Sequence, residues 1–469
     1  MSIKLYSTLS RKLEALPDPP GPIRMYVCGS TVYQRIHVGN SRPFVLAMWL
    51  RRWLRSRGYE VTLVHNITDV DDKVYEEAAK LGKGSRELAE EATGWFVQDT
   101  DELGLGRPDV EPRASETIPE IVTFIEALIA DGKAYASQGS VYFRVGSYAD
   151  YGQLSGARLE DMVAQEPNPA KEDERDFALW KSQKAHEDAA WDSPWGPGRP
   201  GWHIECSAMA LRLLGSPIDL HAGGVDLIFP HHENEIAQSE GATGTQFSRF
   251  WMHVEHLMIE EETGRTDKMS KSLGNVFNLA DIVERGYRPS ALRYLYLGVH
   301  YRKQLKFSWA AMSQAEESLK RLTDFLARLN TLPAGPAHAE VVTRLGEARD
   351  QFRAHIAADL NTAAGIGVIF DLVRALNSSI DSGDVSDADA AAIRETFAEF
   401  DKILGVLSLR TQEDERPPVP VAEIEQLIAA RRAARLSRNF AEADRIRTDL
   451  DARGITLEDT GAVTRWKRK

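Results

Sequence analysis

Cysteine is nearly absent from this chain, since Cys28 and Cys206 are the only two in 469 residues and lie 178 positions apart. Two distant cysteines cannot build the framework of a disulfide-rich secreted domain. Long apolar runs are missing too, because the uninterrupted run at residues 44–50 falls far short of the roughly 18 residues that span a bilayer. The first 20 residues also lack the apolar stretch of a signal peptide. We therefore expect a cytoplasmic protein.

An excess of positive charge is also missing. The 57 Lys and Arg against 70 Asp and Glu give a formal net charge of −13. This balance excludes a uniformly basic protein that coats nucleic acid, although it allows a local basic patch. At about 150 residues per domain, the length predicts two to four domains.

Alternating strands and helices dominate the first part of the chain. Apolar strands are predicted at residues 25–27 and 61–64, with helices at residues 39–57 and 75–81. The pattern resumes with a strand at residues 218–220 and a helix from His231. This order predicts an α/β fold with a parallel sheet and crossover helices.

The rest of the sequence predicts how the chain is divided into structural units. From Ser308 onward almost everything has the 3.6-residue period of amphipathic helix, which predicts an all-helical C-terminal half. The predicted units are a split α/β domain at 1–110 and 196–260, an insertion at 111–195, a loop region at 261–310, a helical bundle at 311–410 and a small basic tail at 420–469.

The nucleotide-binding motif GxxxxGK[ST] does not occur, and GxGxxG occurs only at residues 196–201, in a stretch too rich in Pro and Gly for the strand and helix that this motif requires. Instead, His37, Gly39 and Asn40 follow a predicted strand at the start of a predicted helix. A helix N-terminus suits an anion, Gly39 permits close approach to the backbone, and His37 and Asn40 can donate to phosphate oxygens. Such a short string is also common near helix starts without any ligand.

A second candidate for phosphate binding is the string Lys-Met-Ser-Lys-Ser at residues 268–272, between Gly264 and Gly274. The ammonium groups of Lys268 and Lys271 would neutralise charge that develops on a triphosphate. The alternative is a solvated polar loop, but the intact five-residue string is more specific than that alternative.

Four side chains suggest a metal site. His231 and Glu235 are four positions apart in a predicted helix, and with Cys28 and Cys206 they make a set that suits Zn²⁺. The cysteines lack CxxC spacing, and the alternative for each is a small buried apolar residue. His232 is a rival ligand.

Together these strings resemble the cysteinyl-tRNA synthetase family of class I aminoacyl-tRNA synthetases over essentially the whole chain. The resemblance is carried by Met-Tyr-Val-Cys-Gly at 25–29, His-Val-Gly-Asn at 37–40, Gly-Trp-His-Ile-Glu-Cys-Ser at 201–207, Phe-Pro-His-His-Glu-Asn-Glu at 229–235 and the string at 268–272. It implies a Rossmann-like catalytic domain with a connective insertion. It also implies a two-step reaction, in which L-cysteine and ATP, with Mg²⁺ expected, give cysteinyl-adenylate and cysteine then moves to the 3′ end of tRNA(Cys).

The resemblance also implies roles for individual residues. One zinc ion per chain would be held by Cys28, Cys206, His231 and Glu235. Cysteine would be contacted by Gly29, Thr68, Trp202 and His221. ATP would be bound by His37, Gly39, Asn40, Gly223, Gly224, Asp226 and Lys271, with His37, Asn40, Lys268 and Lys271 catalytic. Asn40 stands where the family's HIGH signature has a second His, so a cationic role there is in doubt. A monomer is expected by the same resemblance.

Zinc makes physical sense in this reaction, because cysteine and serine differ by one atom and an apolar pocket separates such near-isosteres poorly. A metal ion strongly favours a thiolate ligand over a neutral hydroxyl. Selection would then occur at the metal, with no separate editing domain.

The last 39 residues, from Arg431, hold 11 Lys and Arg against 6 Asp and Glu, whereas the chain as a whole is acidic. This asymmetry indicates a polyanion partner. The segment resembles the family's anticodon-binding tail, with tRNA contacts expected from Arg431, Arg435, Arg438 and Trp466. A solvated basic face with Trp466 packed in a small core is the equal alternative.

Two other functions stay open at this point. One is a family paralogue that ligates cysteine to an amino sugar in mycothiol synthesis, which needs no anticodon domain. The other is a non-catalytic RNA-binding protein derived from a synthetase. The basic tail argues against the first, and the intact string at 268–272 with a complete ligand set argues against the second.

Overall fold

The computed structural model describes residues 2–18, 20–158, 160, 168–260, 264–269, 274–417, 419–460 and 463–468. A short antiparallel hairpin precedes the first βαβ unit, in which two parallel strands flank a long helix, as predicted. The elements are β1 (Lys4–Ser7), β2 (Lys12–Ala15), β3 (Pro22–Thr31), α1 (Val38–Ser56), β4 (Glu60–Thr68), α2 (Asp72–Leu81) and α3 (Ser85–Glu102).

An insertion with its own antiparallel sheet follows. Its strands pair in the order β5-β6-β7-β8, beside one helix. The elements are α4 (Ile118–Ala130), β5 (Ala134–Ser137), β6 (Ser140–Phe143), β7 (Phe177–Ser182) and β8 (Gly198–Pro200).

The chain then returns to the parallel sheet. Strand β9 pairs with β3, and β10 pairs with β9, which gives the order β10-β9-β3-β4. Strand β3 therefore lies between its successor β4 and the strand that follows the insertion. Such a point of reversal opens a crevice at the carboxyl ends of the strands, where ligands bind in α/β sheets. The elements are α5 (Trp202–Leu214), β9 (Ile218–Gly224), a π-helical turn (Ile228–His232), α6 (Glu233–Thr243) and β10 (Ser248–Val254).

A second small sheet and two helices join this domain to the helical half. Strand β11 pairs antiparallel with β12 and parallel with β13. The elements are β11 (Leu257–Glu260), β12 (Thr266–Lys268), α7 (Leu279–Glu284), α8 (Pro289–Leu297) and β13 (Leu305–Phe307).

The predicted helical half is confirmed, with one addition. Its helices are α9 (Trp309–Arg328), α10 (Ala339–Ala357), α11 (Thr362–Ser382), α12 (Asp387–Leu404), α13 (Val406–Glu415), α14 (Val421–Leu436) and α15 (Phe440–Ala452). The addition is a terminal antiparallel hairpin of β14 (Ile455–Thr460) and β15 (Val463–Arg468). Ile455 and Leu457 are buried on alternate positions, which is the period of a strand.

Helix α1 connects the sheet to the helical half. Trp49 and Trp53 are buried on it, and the indole N–H of Trp49 donates to the Leu404 carbonyl at 3.1 Å. The fully buried Arg293 donates to carbonyl oxygens of Leu103 and Leu404, so one side chain ties the end of α3 to α12. Helix α1 therefore packs against both the parallel sheet and the helical half.

Helix α11 is the one helix in the described part of the chain that is long and apolar enough to cross a membrane. Core helices of soluble bundles meet the same criterion. Leu372 and Leu376 on α11 are buried in the hydrophobic core of this structure.

Asp359 forms a polar joint between the N-terminal hairpin and the bundle. It is buried and accepts hydrogen bonds from the Tyr6 amide at 2.8 Å, the Tyr301 hydroxyl at 2.6 Å and the Arg302 Nε at 2.7 Å. Its backbone φ is +62°, a left-handed conformation that Asn also tolerates. Replacement by Asn therefore removes the charge without new backbone strain.

We predict that Asp359→Asn lowers the free energy of unfolding by about 2–3 kcal/mol, because hydrogen bonds to a buried charge are lost. Urea unfolding followed by circular dichroism measures the change. The exposed Asp371 pairs with Arg374 on the surface of α11, so Asp371→Asn is the control and should change stability by less than about 0.5 kcal/mol. Equal losses in both variants would contradict the role of this joint.

Candidate active site and metal centre

A cavity of about 420 Å³ opens at the carboxyl ends of β3 and β10. Its wall brings together side chains that lie far apart in the sequence. They include Cys28, Gly29, His37, Gly39, Asn40, Trp202, Gly224, Asp226, Lys268 and Met269. Most residues predicted to contact ATP or the amino acid therefore share one cavity.

The four predicted metal ligands converge beside this cavity, and Cys28 is the one of them that lines it. One ligand atom each from Cys28, Cys206, His231 and Glu235 lies within 4.8 Å of the other three, and all four residues are buried. They come from β3, α5, the π-helical turn and α6. His231 precedes α6 itself, so the turn, and not a regular helix, brings its Nε2 to 3.0 Å from Glu235 Oε1.

A second group of four, Cys28, His221, His232 and Glu235, meets the same distance criterion. His221 Nε2 lies 2.9 Å from Glu235 Oε2, where its N–H donates to the carboxylate. This arrangement makes His221 a support for Glu235. The set with both cysteines offers two thiolates, one imidazole and one carboxylate, which is the combination that zinc prefers.

The contacts within the cluster call for a cation. The Nε2 atom of His231 is buried and makes no well-directed hydrogen bond among the described residues, although Glu235 Oε1 lies 3.0 Å away. Ring nitrogen, thiolate and carboxylate lone pairs that face one another repel unless a positive charge lies between them. The residues present therefore fit a zinc ion.

The pKa values in the cluster are shifted, and burial raises the pKa of the Cys28 thiol well above its usual range. Hydrogen bonding from Cys28 lowers the pKa of Cys206 to about 6, against the effect of burial. Burial opposes charge on His231, but the Glu235 carboxylate outweighs it and raises the pKa of His231 to about 10. Burial also opposes charge on Glu235, yet His221 and His231 hold the pKa of this carboxyl well below its usual range.

The predicted amino-acid contacts divide into two groups. Gly29 and Trp202 line the cavity, whereas Thr68 and His221 are buried behind it. The Gly29 amide donates to Asn66 Oδ1 at 2.8 Å, and Asn66 Nδ2 donates to Thr68 Oγ1 at 3.1 Å. Sequence reasoning missed Asn66, a buried amide that links both predicted contacts. The signal was a polar side chain inside a strand that is otherwise mostly apolar.

The nucleotide side of the cavity confirms the predicted helix start. His37 is the N-cap of α1, and its Nδ1 accepts from the Asn40 amide at 3.2 Å. The ring proton therefore lies on Nε2. Burial lowers the pKa of His37, partly offset by Asp226, so this ring is a neutral donor at pH 7.

Gly223 and Gly224, near the part of the cavity that is predicted to bind the nucleotide, permit close packing. A Cβ atom on Gly223 would lie 2.8 Å from the His232 ring, and one on Gly224 would lie 2.3 Å from Asp226 Oδ1. Gly224 and Asp226 line the cavity, whereas Gly223 packs against His232.

Lys268 ends β12 and reaches the same cavity, with its Nζ 3.1 Å from His256 Nε2. The neighbouring Met269 Cε lies 2.9 Å from the position of a Cβ on Gly39. Lys268 and Met269 thus approach the start of α1 at the cavity. Lys271, the other predicted lysine, lies outside the described residues.

The predicted tRNA contacts in the tail differ in their surroundings. Arg431 is buried and paired with Asp459 at 2.8 and 2.9 Å, and Arg435 shares that carboxylate at 3.1 Å. Trp466 packs partly against the small core of the tail, and its indole donates to Glu425 at 3.0 Å. Arg438 is exposed. Arg431 and Trp466 therefore make contacts within the tail itself, and their role in tRNA binding stays a prediction.

Exposed apolar side chains lie next to Arg438. Leu436 is 80% exposed and Phe440 is 60% exposed, at the turn between α14 and α15. Sequence reasoning missed Leu436.

Comparisons with known proteins cover almost the whole chain. The family model of the class I (C) tRNA synthetase catalytic domain matches residues 17–317, the DALR domain matches residues 351–408, and the cysteinyl-tRNA ligase anticodon binding domain matches residues 419–466. The cysteine–tRNA ligase of Symbiobacterium thermophilum is 48% identical over 482 residues, and that of Brevibacillus brevis is 45% identical over 480 residues. Each alignment covers 100% of both chains.

Among solved structures, Mycobacterium tuberculosis methionyl-tRNA synthetase in complex with methionyl-adenylate has a similar fold, with a TM-score of 0.60 and 17% identity. The match covers 82% of this chain and 90% of that one. At this identity the likeness concerns the fold alone.

A substitution at Gly29 tests how closely β3 packs against β4 in the cavity wall. A Cβ atom at this position would lie 1.6 Å from the Asn66 carbonyl oxygen, so β3 and β4 would have to separate. We predict that Gly29→Ala lowers the free energy of unfolding by about 3 kcal/mol, because overpacking forces a backbone shift. A Cβ atom on Gly21 would have no other atom within 4 Å, so Gly21→Ala is the matched control in the same unfolding assay. A Gly29→Ala protein as stable as the control would contradict this packing.

Proposed function

We propose that this chain, which belongs to the cysteine–tRNA ligase family of class I aminoacyl-tRNA synthetases, selects its amino acid through a zinc ion held by Cys28, Cys206, His231 and Glu235. The chain is a cysteine–tRNA ligase, as its full-length relatives and its anticodon-binding domain indicate. The single observation that carries the zinc proposal is the buried convergence of these four side chains beside the catalytic cavity.

The proposed zinc ion supplies a site for a thiolate, which a neutral serine hydroxyl fills far less well. The chain supplies the surroundings of that site. The Trp202 ring stacks on His231 with centroids 4.2 Å apart and also lines the cavity. Trp202 thus contacts both the proposed ligand His231 and the cavity.

Adenylate formation follows from the rest of the cavity. The carboxylate of cysteine attacks the α-phosphorus of ATP, the bond to the β-phosphate oxygen breaks, and pyrophosphate leaves with the electron pair. The His37 Nε2–H group, the N-terminal end of α1 and the Lys268 ammonium face the region where this negative charge develops. Lys271 is proposed as a further phosphate ligand and Mg²⁺ as the counterion of ATP.

The second step transfers cysteine to tRNA. A ribose hydroxyl at the 3′ end of tRNA(Cys) attacks the acyl carbon, and AMP leaves. The segment matched by the anticodon-binding model is α14, α15 and the terminal hairpin, and we propose that it binds the anticodon through its exposed turn around Arg438. We further propose that the chain acts in the cytoplasm as a monomer.

Cysteine–amino-sugar ligation is disfavoured, because the chain matches an anticodon-binding domain over residues 419–466. A non-catalytic role is disfavoured by the complete ligand set beside the nucleotide cavity.

Cys206→Ser tests the zinc proposal. We expect zinc content to fall from one ion per chain and cysteine affinity to drop about 100-fold or more, while ATP binding persists, because one thiolate ligand is lost. Elemental analysis and isothermal titration with cysteine and ATP measure these quantities. Ala210→Ser adds a hydroxyl to the same buried helix one turn away and is the control. Unchanged discrimination between cysteine and serine in Cys206→Ser would contradict the proposal.

Lys268→Ala tests the nucleotide side. We expect the rate of cysteine-dependent pyrophosphate exchange into ATP to fall about 100-fold, with a small change in the KM for cysteine, because the lysine stabilises charge that forms in the transition state. The exposed Lys303 is replaced by Ala as the control. Exchange at the wild-type rate in Lys268→Ala would remove Lys268 from the mechanism. A wild-type protein that exchanges pyrophosphate but does not charge tRNA would contradict the second step.

A further inference from the structure

We infer that His203 is a positioning residue that sets the tautomer and the ring orientation of His231 for metal binding. The inference rests on the proposed zinc site and adds a residue that is outside the ligand set. His203 is the second residue of α5, and His231 lies in the π-helical turn. Their Nδ1 atoms are 2.9 Å apart, which is a hydrogen-bond distance.

The direction of this hydrogen bond decides whether His231 can bind a metal. A neutral imidazole has one N–H group and one lone pair. If Nδ1 of His231 donates to His203, then Nε2 of His231 presents a lone pair to Cys28, Cys206 and Glu235. If His203 donates instead, the proton of His231 must be on Nε2, where it can only donate to Glu235 Oε1 at 3.0 Å. Only the first arrangement supplies a ligand.

Aromatic contacts hold both rings in place. Trp202 stacks on His231 at 4.2 Å with an interplanar angle of 22°, and Phe177 packs its edge against His203 at 5.6 Å and 87°. Phe177 belongs to strand β7 of the insertion. The insertion therefore fixes the ring of His203, and His203 fixes the ring of the proposed ligand. Hydrogen bonds of this kind orient metal-bound imidazoles and raise their basicity.

Two substitutions of His203 either remove its hydrogen-bond acceptor or keep it, while the shape of the side chain changes little. The Oδ1 atom of Asn is attached to Cγ, as the Nδ1 atom of His is, so Asn can accept from His231 at the same place. Leu has a similar branched shape and no acceptor. The pair His203→Asn and His203→Leu therefore separates the hydrogen bond from the filling of space.

The test is zinc affinity of the full chain, measured by competition with a chromophoric chelator. We expect His203→Leu to raise the zinc dissociation constant about 10–100-fold, as loss of an outer-shell partner does elsewhere. We expect His203→Asn to restore affinity to within about threefold of wild type. The visible absorption of the cobalt-substituted protein should weaken in His203→Leu and keep its wild-type intensity in His203→Asn, because absorption reports the coordination geometry.

His338→Leu is the matched control. His338 also uses Nδ1 in a hydrogen bond, at 2.7 Å from Asp389 Oδ2, but it precedes α10 in the helical half. Its loss should leave zinc affinity unchanged.

Three outcomes would overturn the inference. Zinc affinity equal to wild type in His203→Leu means that the hydrogen bond does not matter, while the zinc proposal stands. Equal losses in His203→Leu and His203→Asn mean that ring packing, and not the acceptor, is responsible. A wild-type chain that binds no zinc overturns both the inference and the zinc proposal.

If His203→Leu does not fold, His203→Phe replaces it, because Phe also lacks an acceptor. Full zinc affinity in His203→Asn together with reduced affinity in His203→Phe supports the inference, and equal affinity in those two variants overturns it.

Discussion

The catalytic half depends on one constraint, which is the close approach of four ligand atoms with lone pairs at one buried position. Two sulfur atoms, a ring nitrogen and a carboxylate oxygen lie within 4.8 Å of one another, and all four residues are buried. Such a group is stable only with a positive charge at its centre. The Glu235 carboxylate raises the pKa of His231, which reflects the same attraction of this site for a positive charge.

The topology of the sheet explains why these side chains meet. Strand β3 delivers Cys28 near its carboxyl end, and the insertion leads directly into α5, which presents Cys206 before β9 pairs with β3. The π-helical turn and α6 then deliver His231 and Glu235 after strand β9. The cavity begins at the same strand ends, so the order of strands places the proposed zinc ligands beside the residues proposed to bind ATP.

Local patterns were enough to predict much of this arrangement. The strand periodicity around Cys28 and the helix after His37 follow from side chains within a few positions of each other. The ligand set rested on spacing in part and on family resemblance in part. Neither source revealed Asn66 or His203, because their roles depend on contacts across 37 and 28 positions. Pairing of Arg431 with Asp459 was hidden for the same reason, since charge counting does not tell which basic residues are already paired within the fold.

The central claim is that the metal recognises the sulfur of the amino acid, and zinc K-edge X-ray absorption tests it most directly. The account predicts two sulfur atoms in the zinc shell of the free enzyme, three when cysteine is bound, and two when serine is present. A sulfur count that stays at two with saturating cysteine would contradict it.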